Sequence, residues 1–251
     1  MRVGIAGYGL AGRSFHGPLL KGCGFEIAAI ATSNATRARQ AKDDFPLTNV
    51  VSDFSSLVKQ NLDLIIIATA NKVHAEQAHA AISAGIPVVI DKPAARTASE
   101  TAEIFAAAER AGVPITVFYN RLWDSDALTI KQVVRDGLIG KPFRLDSRFE
   151  RFRPQRNPAA WRENESPENG GGLLLDLQTH LISTALDWFG AAELTNAHIR
   201  SIRGESEDDV VLTLKHASGV DSYLSASAIS GNPGPRIRVL GSEGALVIED
   251  L

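Results

Sequence analysis

The N-terminal segment constrains the fold of this chain more strongly than any other stretch of the sequence. An apolar run from Arg2 to Ala6 leads directly into Gly7-Tyr8-Gly9-Leu10-Ala11-Gly12. A G-x-G-x-x-G pattern at the junction of a strand and a helix is typical of the dinucleotide-binding turn of a doubly wound α/β sheet. The sequence therefore predicts that the chain begins with a Rossmann fold that binds a dinucleotide.

Each glycine of this segment has its own predicted role. Gly7 permits the tight turn, Gly9 lets the backbone approach a phosphate, and Gly12 lets the helix pack closely on the strand. The helix that begins there directs amide donors and the positive end of its dipole toward the anion. The loop residues predicted to bind the cofactor are Gly7, Gly9, Leu10, Ala11 and Gly12.

Short apolar runs alternate with helical patterns up to residue 118, as expected of a parallel sheet covered on both faces. The predicted strands are Arg2–Ala6, Phe25–Ala31, Asn49–Ser52, Leu62–Ala68, Ile86–Ile90 and Pro114–Phe118. The predicted helices are Ala11–Leu20, Ala35–Asp44, Phe54–Gln60, His74–Ala84 and Ala98–Ala111. Residues 1–118 are therefore predicted to form an NAD(P)-binding Rossmann domain.

The pattern changes near Tyr119, where a second domain, residues 119–251, is predicted to begin. Helices are predicted at Trp123–Asp136 and Leu173–Phe189, and a long polar loop at Arg153–Gly172. Closely spaced strands with turn signals between them indicate an open antiparallel sheet, and hence an α+β domain. The predicted strands are Phe143–Phe152, Leu194–Ile202, Val210–His216, Val220–Ile229, Arg236–Leu240 and Ala245–Ile248.

Composition narrows the class of protein. The formal charge of −3 and the ordinary charged fraction of 22% predict neither nucleic acid nor a membrane as a partner. The single cysteine, Cys23, excludes an internal disulfide and a cysteine-cluster metal site. No apolar run is long enough to span a membrane, and the first strand leaves no room for a signal peptide. We therefore expect a cytoplasmic protein.

The position that selects between NAD and NADP lies about twenty residues past the glycine loop, where NAD-preferring folds place an acidic residue for the ribose 2′-hydroxyl. This chain has Thr32, Ser33 and Asn34 there, with Arg37 in the following helix and no carboxylate. Small polar side chains beside an arginine suit a 2′-phosphate, so the sequence favours NADP, with NAD as the alternative. The competing interpretation is that Thr32 to Asn34 only cap the helix and that Arg37 is a solvated surface charge.

Three polar residues follow the predicted strand Leu62–Ala68. Thr69, Asn71 and His74 are expected to line the carboxyl edge of the sheet, near the nicotinamide ribose. Asn71 could equally act as a helix N-cap. For His74 a structural role at the start of the helix is favoured over direct chemistry.

The segment Asp91-Lys92-Pro93 follows the predicted strand Ile86–Ile90. A buried lysine beside a nicotinamide can orient a substrate hydroxyl and share its proton, because burial lowers its pKa toward the working pH. Pro93 restricts Lys92 to extended backbone geometry. Lys92 is therefore predicted to be catalytic, with Asp91 beside it in the cofactor site. The alternative is an ordinary loop lysine.

A three-glycine stretch from Gly170 to Gly172 precedes a helix that carries Asp176 and His180. At positions i and i+4 these two side chains share one face of an α-helix. A carboxylate beside an imidazole raises its basicity, which suits a proton carrier near neutral pH. Both residues are therefore predicted to be catalytic, although such a pair is often only a surface contact. No further ligand stands at metal-binding spacing, so no metal site is predicted.

Taken together, these motifs resemble the Gfo/Idh/MocA family of NAD(P)-dependent oxidoreductases over essentially the whole chain. The motifs that carry the resemblance are Gly7–Gly12, Thr69–His74 with Ala84-Gly85, Asp91-Lys92-Pro93, Asn120-Arg121 and Gly170–His180. The resemblance implies a Rossmann domain followed by an α/β domain with an open antiparallel sheet, and substrate in the cleft between them. It also implies that Lys92 is the active-site lysine, that Asp176 and His180 match the family's Asp and His, and that His180 is the general acid/base.

Three positions depart from the family pattern. Asp91 stands in place of the usual Glu, Ala70 in place of a common Pro, and Gln178 in place of a common Gly. The shorter carboxylate of Asp91 is expected to change the support of Lys92, and Gln178 is expected to add bulk near the cleft. Members of the family are also longer, so the resemblance implies that the second domain is incomplete at its C-terminus.

We therefore expect an oxidoreductase that transfers a hydride between NADP, or NAD, and a sugar, polyol or related carbonyl compound. The residues predicted to contact substrate are Asn120, Arg121, Arg151, Trp161, Asp176 and His180. Two rival functions are a dinucleotide-binding sensor or scaffold without turnover, and a hydrolase or lyase that uses bound NAD transiently. Intact Lys92, Asp176 and His180 speak against the sensor, which needs no proton-handling residues.

The C-terminal sheet also predicts an oligomer. One of its faces is expected to be uncovered by helices and to carry apolar residues, among them Leu212, Leu214, Tyr223 and Leu224. Unpaired strand edges also attract partner strands. We therefore predict at least a homodimer, built sheet to sheet through the second domain, with the Rossmann domain facing outward.

Overall fold

The computed structural model describes residues 1–250, which separate into two compact units. The first unit is Met1–Phe118, and the second begins at Tyr119. Each unit has a six-stranded sheet. Each also has its own buried hydrophobic clusters.

The first unit is built on a wholly parallel sheet. In chain order its strands are β1 (Arg2–Ala6), β2 (Glu26–Ala31), β3 (Asn49–Val51), β4 (Leu64–Ile67), β5 (Val88–Asp91) and β6 (Ile115–Phe118). They lie side by side in the order β3-β2-β1-β4-β5-β6. The order reverses between β1 and β4, and such switch points are where doubly wound sheets bind ligands. The predicted doubly wound α/β fold is confirmed.

The helices of this unit follow the predicted pattern, with one exception. They are α1 (Gly17–Gly22), α2 (Ala35–Asp44), α3 (Phe54–Val58), α4 (His74–Ser83) and α5 (Ala98–Ala111). The exception is the predicted first helix, because Gly12–His16 is π-helical and α1 begins only after it. A π-helix uses i→i+5 hydrogen bonds, which apolar periodicity alone does not distinguish from an α-helix. The other predicted ends in this unit differ by one or two residues at most.

The sheet of the second unit is mixed rather than wholly antiparallel. Its strands are β7 (Pro142–Glu150), β8 (Ala192–Arg200), β9 (Asp209–His216), β10 (Asp221–Ser227), β11 (Ile237–Gly241) and β12 (Gly244–Ile248). Their order is β12-β11-β7-β10-β9-β8, and the pair β7 and β10 is parallel. The long connection from β7 to β8 acts as a crossover, which lets β7 enter the middle of the sheet beside a parallel neighbour. Spacing along the sequence does not reveal such a neighbour.

The helices of the second unit are α6 (Ser125–Arg135), α7 (Trp161–Asn164) and α8 (Thr179–Phe189). A 3₁₀ turn, Asn120–Trp123, precedes α6, and a π-helical segment, Leu174–Gln178, precedes α8. The predicted helices Trp123–Asp136 and Leu173–Phe189 are therefore each shorter as α-helices. The predicted loop Arg153–Gly172 contains α7 and a 3₁₀ turn at Pro167–Asn169.

The two faces of this second sheet differ from the prediction. Leu212, Leu214 and Leu224 are buried in the hydrophobic core that includes residues of α6 and α8, whereas Tyr223 is 40% exposed. Because successive residues of a strand point to opposite faces, Tyr223 and Leu224 cannot share one. The prediction was wrong for the three leucines.

The face that carries Tyr223 is polar. At its centre lies Asp146, which is only 1% exposed. Arg144 and Arg238 approach its carboxylate to 2.8 and 2.9 Å, and the Arg144 guanidinium lies 4.6 Å from the centre of the Tyr223 ring. Burial opposes ionisation of Asp146, but hydrogen bonds from the two arginines outweigh it and lower the pKa of this carboxyl group. An ion cluster therefore occupies the face that was predicted to be apolar.

Candidate functional site

The glycine loop has the geometry that its sequence pattern demands. Gly7 has a φ of +89°, and a Cβ atom on it would lie 2.5 Å from the carbonyl oxygen of Ala68. A Cβ atom on Gly12 would lie 2.1 Å from the carbonyl oxygen of Gly7. Neither position accepts a side chain, since the first needs a left-handed backbone and both are closed by neighbouring carbonyl groups. The loop is a tight cradle at the start of a helical segment, which fits a dinucleotide pyrophosphate.

Arg37 lies over this cradle. The nearest atoms to an ideal Cβ on Gly9 would be Cζ and Nη1 of Arg37, both at 3.7 Å. The side chain therefore reaches from α2 back to the glycine loop rather than extending only into solvent. A guanidinium at this place can bind an anionic ligand group.

The neighbouring polar residues divide into two groups. Asn34 is the N-cap of α2, because its Oδ1 accepts a hydrogen bond of 3.0 Å from the backbone N–H of Arg37. Thr32 Oγ1 accepts a longer bond of 3.3 Å from the N–H of Asn34. The capping interpretation therefore holds for Asn34, whereas Thr32 bonds to the residue that precedes the helix. Ser33 and Arg37 are exposed.

Three loops of the first unit meet at one edge of its sheet. Gly7 follows β1, Thr69 follows β4 closely, and Lys92 follows β5. These strands are adjacent and parallel, so their carboxyl ends lie side by side. The edge is the one at which doubly wound sheets hold ligands.

His74 connects two of these loops. It is fully buried, with Nδ1 2.9 Å from the carbonyl oxygen of Pro93 and Nε2 3.2 Å from that of Thr69. Asn71 is buried as well, but it opens a 3₁₀ turn, and α4 has Val73 at its N-cap. The contacts of His74 with two loops support a structural role for it.

Asp91 is held by a residue that the sequence analysis missed. His16, only 4% exposed, places its Nε2 2.6 Å from Oδ1 of Asp91, and its ring lies 4.5 Å from the ring of Phe118. His16 ends the π-helical segment that follows the glycine loop, and Asp91 directly precedes Lys92. The pair therefore joins the cofactor loop to the strand that carries the lysine, and the Lys92–Pro93 peptide bond that follows is cis. The only signal in the sequence was a histidine close to the glycine motif.

In the second unit, Asp176 and His180 each line a cavity. Asp176 forms an ion pair of 3.0 Å with Arg162 and lines a cavity with Trp161. His180 is buried, meets the ring of Phe149 edge-on at 6.1 Å and lines a small space with it. Asp176 belongs to the π-helical segment Leu174–Gln178, and His180 belongs to α8, which follows it.

The three-glycine stretch that precedes this helix serves packing. A Cβ atom on Gly171 would lie 2.0 Å from the carbonyl oxygen of Glu165, and one on Gly172 would lie 2.0 Å from the carboxylate of Glu207. Glu207 is buried, and its Oε1 accepts a hydrogen bond of 3.2 Å from the N–H of Leu174. Burial raises the pKa of this carboxyl group. Gly172 therefore makes room for a buried acid at the start of the helical segment, and Gly171 makes room for the backbone of Glu165.

The sequence analysis predicts that Gln178 adds bulk near the cleft, but the structure places its side chain between the helix and the sheet. Its side chain is buried, and Nε2 donates hydrogen bonds to the carbonyl oxygens of Val210 at 2.8 Å and Leu224 at 3.2 Å. These carbonyl groups belong to β9 and β10, so Gln178 ties the helix to the sheet.

Four of the six predicted substrate residues line two cavities of the second unit. A cavity of about 500 Å³ is lined by Arg121 and Arg151, and a smaller one of about 120 Å³ by Arg151, Trp161 and Asp176. Arg151 therefore borders both. Asn120 lies in the 3₁₀ turn before α6 and is not among the residues that line either cavity.

Within residues 1–250, no helix is long and apolar enough to cross a membrane. In the same part of the chain, no three His, Cys, Asp or Glu side chains lie together as metal ligands would. The expected cytoplasmic location stays a prediction.

Comparison with known proteins assigns the chain to a family. Residues 1–119 match the oxidoreductase family with an NAD-binding Rossmann fold, and residues 127–247 match the GFO/IDH/MocA C-terminal domain. The chain belongs to the Gfo/Idh/MocA family of oxidoreductases. The resemblance seen in the sequence motifs is thus confirmed, and so is the expectation of an enzyme.

Relatives of this Gfo/Idh/MocA protein match it over nearly its whole length. The uncharacterized oxidoreductase YdgJ of Escherichia coli is 37% identical over 98% of this chain and 70% of its own. The scyllo-inositol 2-dehydrogenase (NADP(+)) IolW of Bacillus subtilis is 34% identical, over 98% of this chain and 68% of its own. The solved structure of an NAD-binding protein from Listeria innocua superposes with a TM-score of 0.90 at 27% identity, covering 99% of this chain and 73% of that one.

Proposed function

We propose that this protein is an NADP-linked oxidoreductase that interconverts a hydroxyl and a carbonyl group on a sugar, a polyol or a related compound. The observation that carries the proposal is that the glycine cradle after β1 and Lys92 after β5 lie at the same carboxyl edge of one parallel sheet, with β4 between the two strands. Arg37 over the cradle favours the 2′-phosphate of NADP, with NAD as the alternative. IolW, which is 34% identical, is named as an NADP-dependent dehydrogenase of a polyol.

In this proposal the cradle residues Gly7, Gly9, Leu10, Ala11 and Gly12 hold the pyrophosphate, and Thr69, Asn71 and His74 form the edge of the site beside it. The nicotinamide, when bound, accepts or supplies the hydride. Lys92 holds the substrate oxygen through its ammonium group. His180 takes the proton from that oxygen in oxidation and returns it in reduction, while Asp176 contributes to the charge around the substrate.

The second domain has a separate proposed role in binding substrate and in assembly. Arg121, Arg151 and Trp161 line the cavities there, and Asn120 precedes Arg121 in the same turn. We also retain the homodimer through the open face of the second sheet as part of the proposal. An interface on this face would be polar, since Asp146 and its arginines lie there.

An activity screen with matched variants tests the proposal. A panel of sugars and polyols is assayed with NADP and NADPH, while the absorbance of the reduced nicotinamide is followed. Lys92→Ala and His180→Ala should keep their affinity for NADPH but lose about 10²- to 10⁴-fold in turnover. Near-normal turnover in His180→Ala would remove this residue from the mechanism. Tight NADPH binding without turnover on any member of the panel would favour the sensor instead.

A further inference from the structure

The second unit concentrates arginine around its two cavities. The larger, of about 500 Å³, falls in the size range of pockets that bind small molecules. Counting the lining residues of both cavities gives seven arginines against five carboxylates. The arginines are Arg121, Arg148, Arg151, Arg153, Arg162, Arg203 and Arg236. A neutral sugar does not require such an excess of positive charge.

Most of these arginines already have protein partners. Arg121 forms an ion pair of 2.7 Å with Asp124, and Arg162 forms one of 3.0 Å with Asp176. Arg203 binds Asp208 at 3.0 Å. These side chains are neutralised within the fold, so they line the cavities without offering an unmatched charge.

Arg151 and Arg236 differ from the others. Within residues 1–250, neither forms an ion pair, and the Nε atom of each is buried without a hydrogen-bond partner. Arg236 donates from Nη1 to the carbonyl oxygen of Arg148 at 3.0 Å, and its guanidinium lies 3.7 Å from the centre of the Phe149 ring. Burial lowers the pKa of Arg236 to about 10, so it is still a cation at neutral pH. Both side chains are half-buried. A guanidinium whose Nε is buried without a hydrogen-bond partner or an ion pair is costly, and an anionic ligand would offset that cost.

Both arginines line the larger cavity, and Arg151 also borders the smaller one. The larger cavity shares Arg121, Phe149 and Arg236 with the space that His180 lines. A ligand held in it by Arg151 and Arg236 would therefore extend toward the residue proposed as the general acid/base.

We propose that Arg151 and Arg236 bind an anionic group of the substrate, so that the protein acts on a sugar acid or a sugar phosphate rather than on a neutral polyol. A carboxylate and a phosphate offer the same chemistry here, because each accepts paired hydrogen bonds from a guanidinium. The inference deepens the proposed function, on which it rests for the reaction itself.

Binding by calorimetry, without turnover, tests the inference on the full chain saturated with NADPH. The probes are D-glucuronate for a carboxylate, D-glucose 6-phosphate for a phosphate, inorganic phosphate for the anion alone, and D-glucose as the neutral match. At least one of the two charged sugars should bind about 10-fold or more tightly than D-glucose, and that advantage should shrink as salt is added. The charged sugar that binds more tightly identifies the anionic group. Equal or tighter binding of D-glucose would overturn the inference, and this comparison needs no variant.

Variants at Arg151 then test whether this side chain binds the anionic group of the sugar. Arg151→Gln should weaken binding of the preferred charged sugar about 10- to 100-fold and weaken binding of D-glucose less, whereas Arg135→Gln, an exposed arginine of the same unit, should change neither. Arg151→Lys keeps the positive charge but lacks the paired N–H donors of a guanidinium, so it should give an intermediate affinity. Unchanged binding of the charged sugar in a folded Arg151→Gln would overturn the inference.

The two proposals fail in different ways. Selective binding of a charged sugar without any hydride transfer would contradict the proposed function and leave the anion site standing. Turnover of neutral polyols, with no preference for a charged sugar in binding, would overturn the anion site and leave the oxidoreductase standing.

Discussion

The Nε2 atom of His16 lies 2.6 Å from Oδ1 of Asp91, although 75 positions separate the two residues in the sequence. One residue comes from the helical segment behind the cofactor loop, and the other from the strand end that carries Lys92. Both side chains are largely shielded from solvent. The pair therefore links the two parts of the first unit that its proposed chemistry needs.

A double-mutant cycle measures the strength of this link. His16→Gln, Asp91→Asn and the double variant should give a coupling free energy of about 0.5–3 kcal/mol in urea unfolding, as expected for contacting residues. The exposed pair Arg2 and Glu26, at 2.5 Å, is the matched control and should couple more weakly, by about 0.2–1 kcal/mol, because water screens it. A coupling for His16 and Asp91 no larger than that of the control would show that the contact does not stabilise the unit.

The second prediction concerns the role of Arg37 in the choice between NADPH and NADH. Its guanidinium lies over the glycine loop, so Arg37→Ala should weaken NADPH binding about 10- to 100-fold while changing the affinity for NADH little. Arg39→Ala, an exposed arginine of the same helix, should leave both affinities unchanged. Fluorescence titration of each protein with the two cofactors gives the dissociation constants. Equal constants for NADPH and NADH in the parent, unaltered in Arg37→Ala, would contradict the preference.

The buried carboxyl group of Glu207 should make the stability of the protein depend on pH. Because burial raises the pKa of its carboxyl group, the folded state favours the protonated form. The folded protein therefore binds more protons than the unfolded chain once the pH exceeds the ordinary glutamate value of about 4.3. The free energy of unfolding of the parent, relative to Glu207→Gln, should consequently fall as the pH rises from there through the raised pKa.

Urea unfolding at several pH values between about 4.5 and 8 measures this difference. Glu168→Gln is a suitable control, since a hydrogen bond from Ser166 lowers the pKa of Glu168. The contribution of Glu168 should be present above the ordinary glutamate pKa and be lost as the pH falls, which is the opposite trend. A parent-to-Glu207→Gln difference that is constant or increases with pH would refute the assignment.

A further prediction concerns the homodimer proposed to form through the face of the second sheet that carries Tyr223. We expect a dimer mass in light scattering at micromolar concentration, with Tyr223 within the interface. Tyr223→Lys adds a cation beside Arg144, and across a sheet-to-sheet interface it should repel the partner and shift the protein toward the monomer. Thr129→Lys, on an exposed position of α6, is the control and should leave the mass unchanged. A monomer mass for the parent, without aggregation, would count against this interface.

Local sequence patterns predicted most of the helices and strands of the first unit, but less of the sheet arrangement of the second. Strand β1 and helices α2 and α5 have the predicted bounds, because apolar periodicity and helix caps are encoded within a few residues. In the second unit, the parallel neighbour of β7 and the polar face around Asp146 depend on which distant strands meet. The prediction that the leucines of β9 and β10 are exposed was wrong for the same reason, because the register of these strands decides which face each residue lies on.

The candidate site shows the same division. The tight turn at Gly7 and Gly12 and the place of Lys92 at a strand end could be predicted from sequence, since both leave signatures in adjacent residues. The contact of His16 with Asp91 left almost none, and neither did the bridging role of His74, because each joins segments far apart in the chain.

By itself the sequence determined the family, the alternation of strands and helices, and the residues at the carboxyl ends of the strands. These follow from the apolar periods and turn chemistry of short segments, which neighbouring residues set. Only the tertiary structure decided that Arg37 lies over Gly9, that His16 holds Asp91, and that Arg151 borders two cavities. Such relationships arise when packing brings distant side chains into contact, and burial then decides which charges find a partner within the protein.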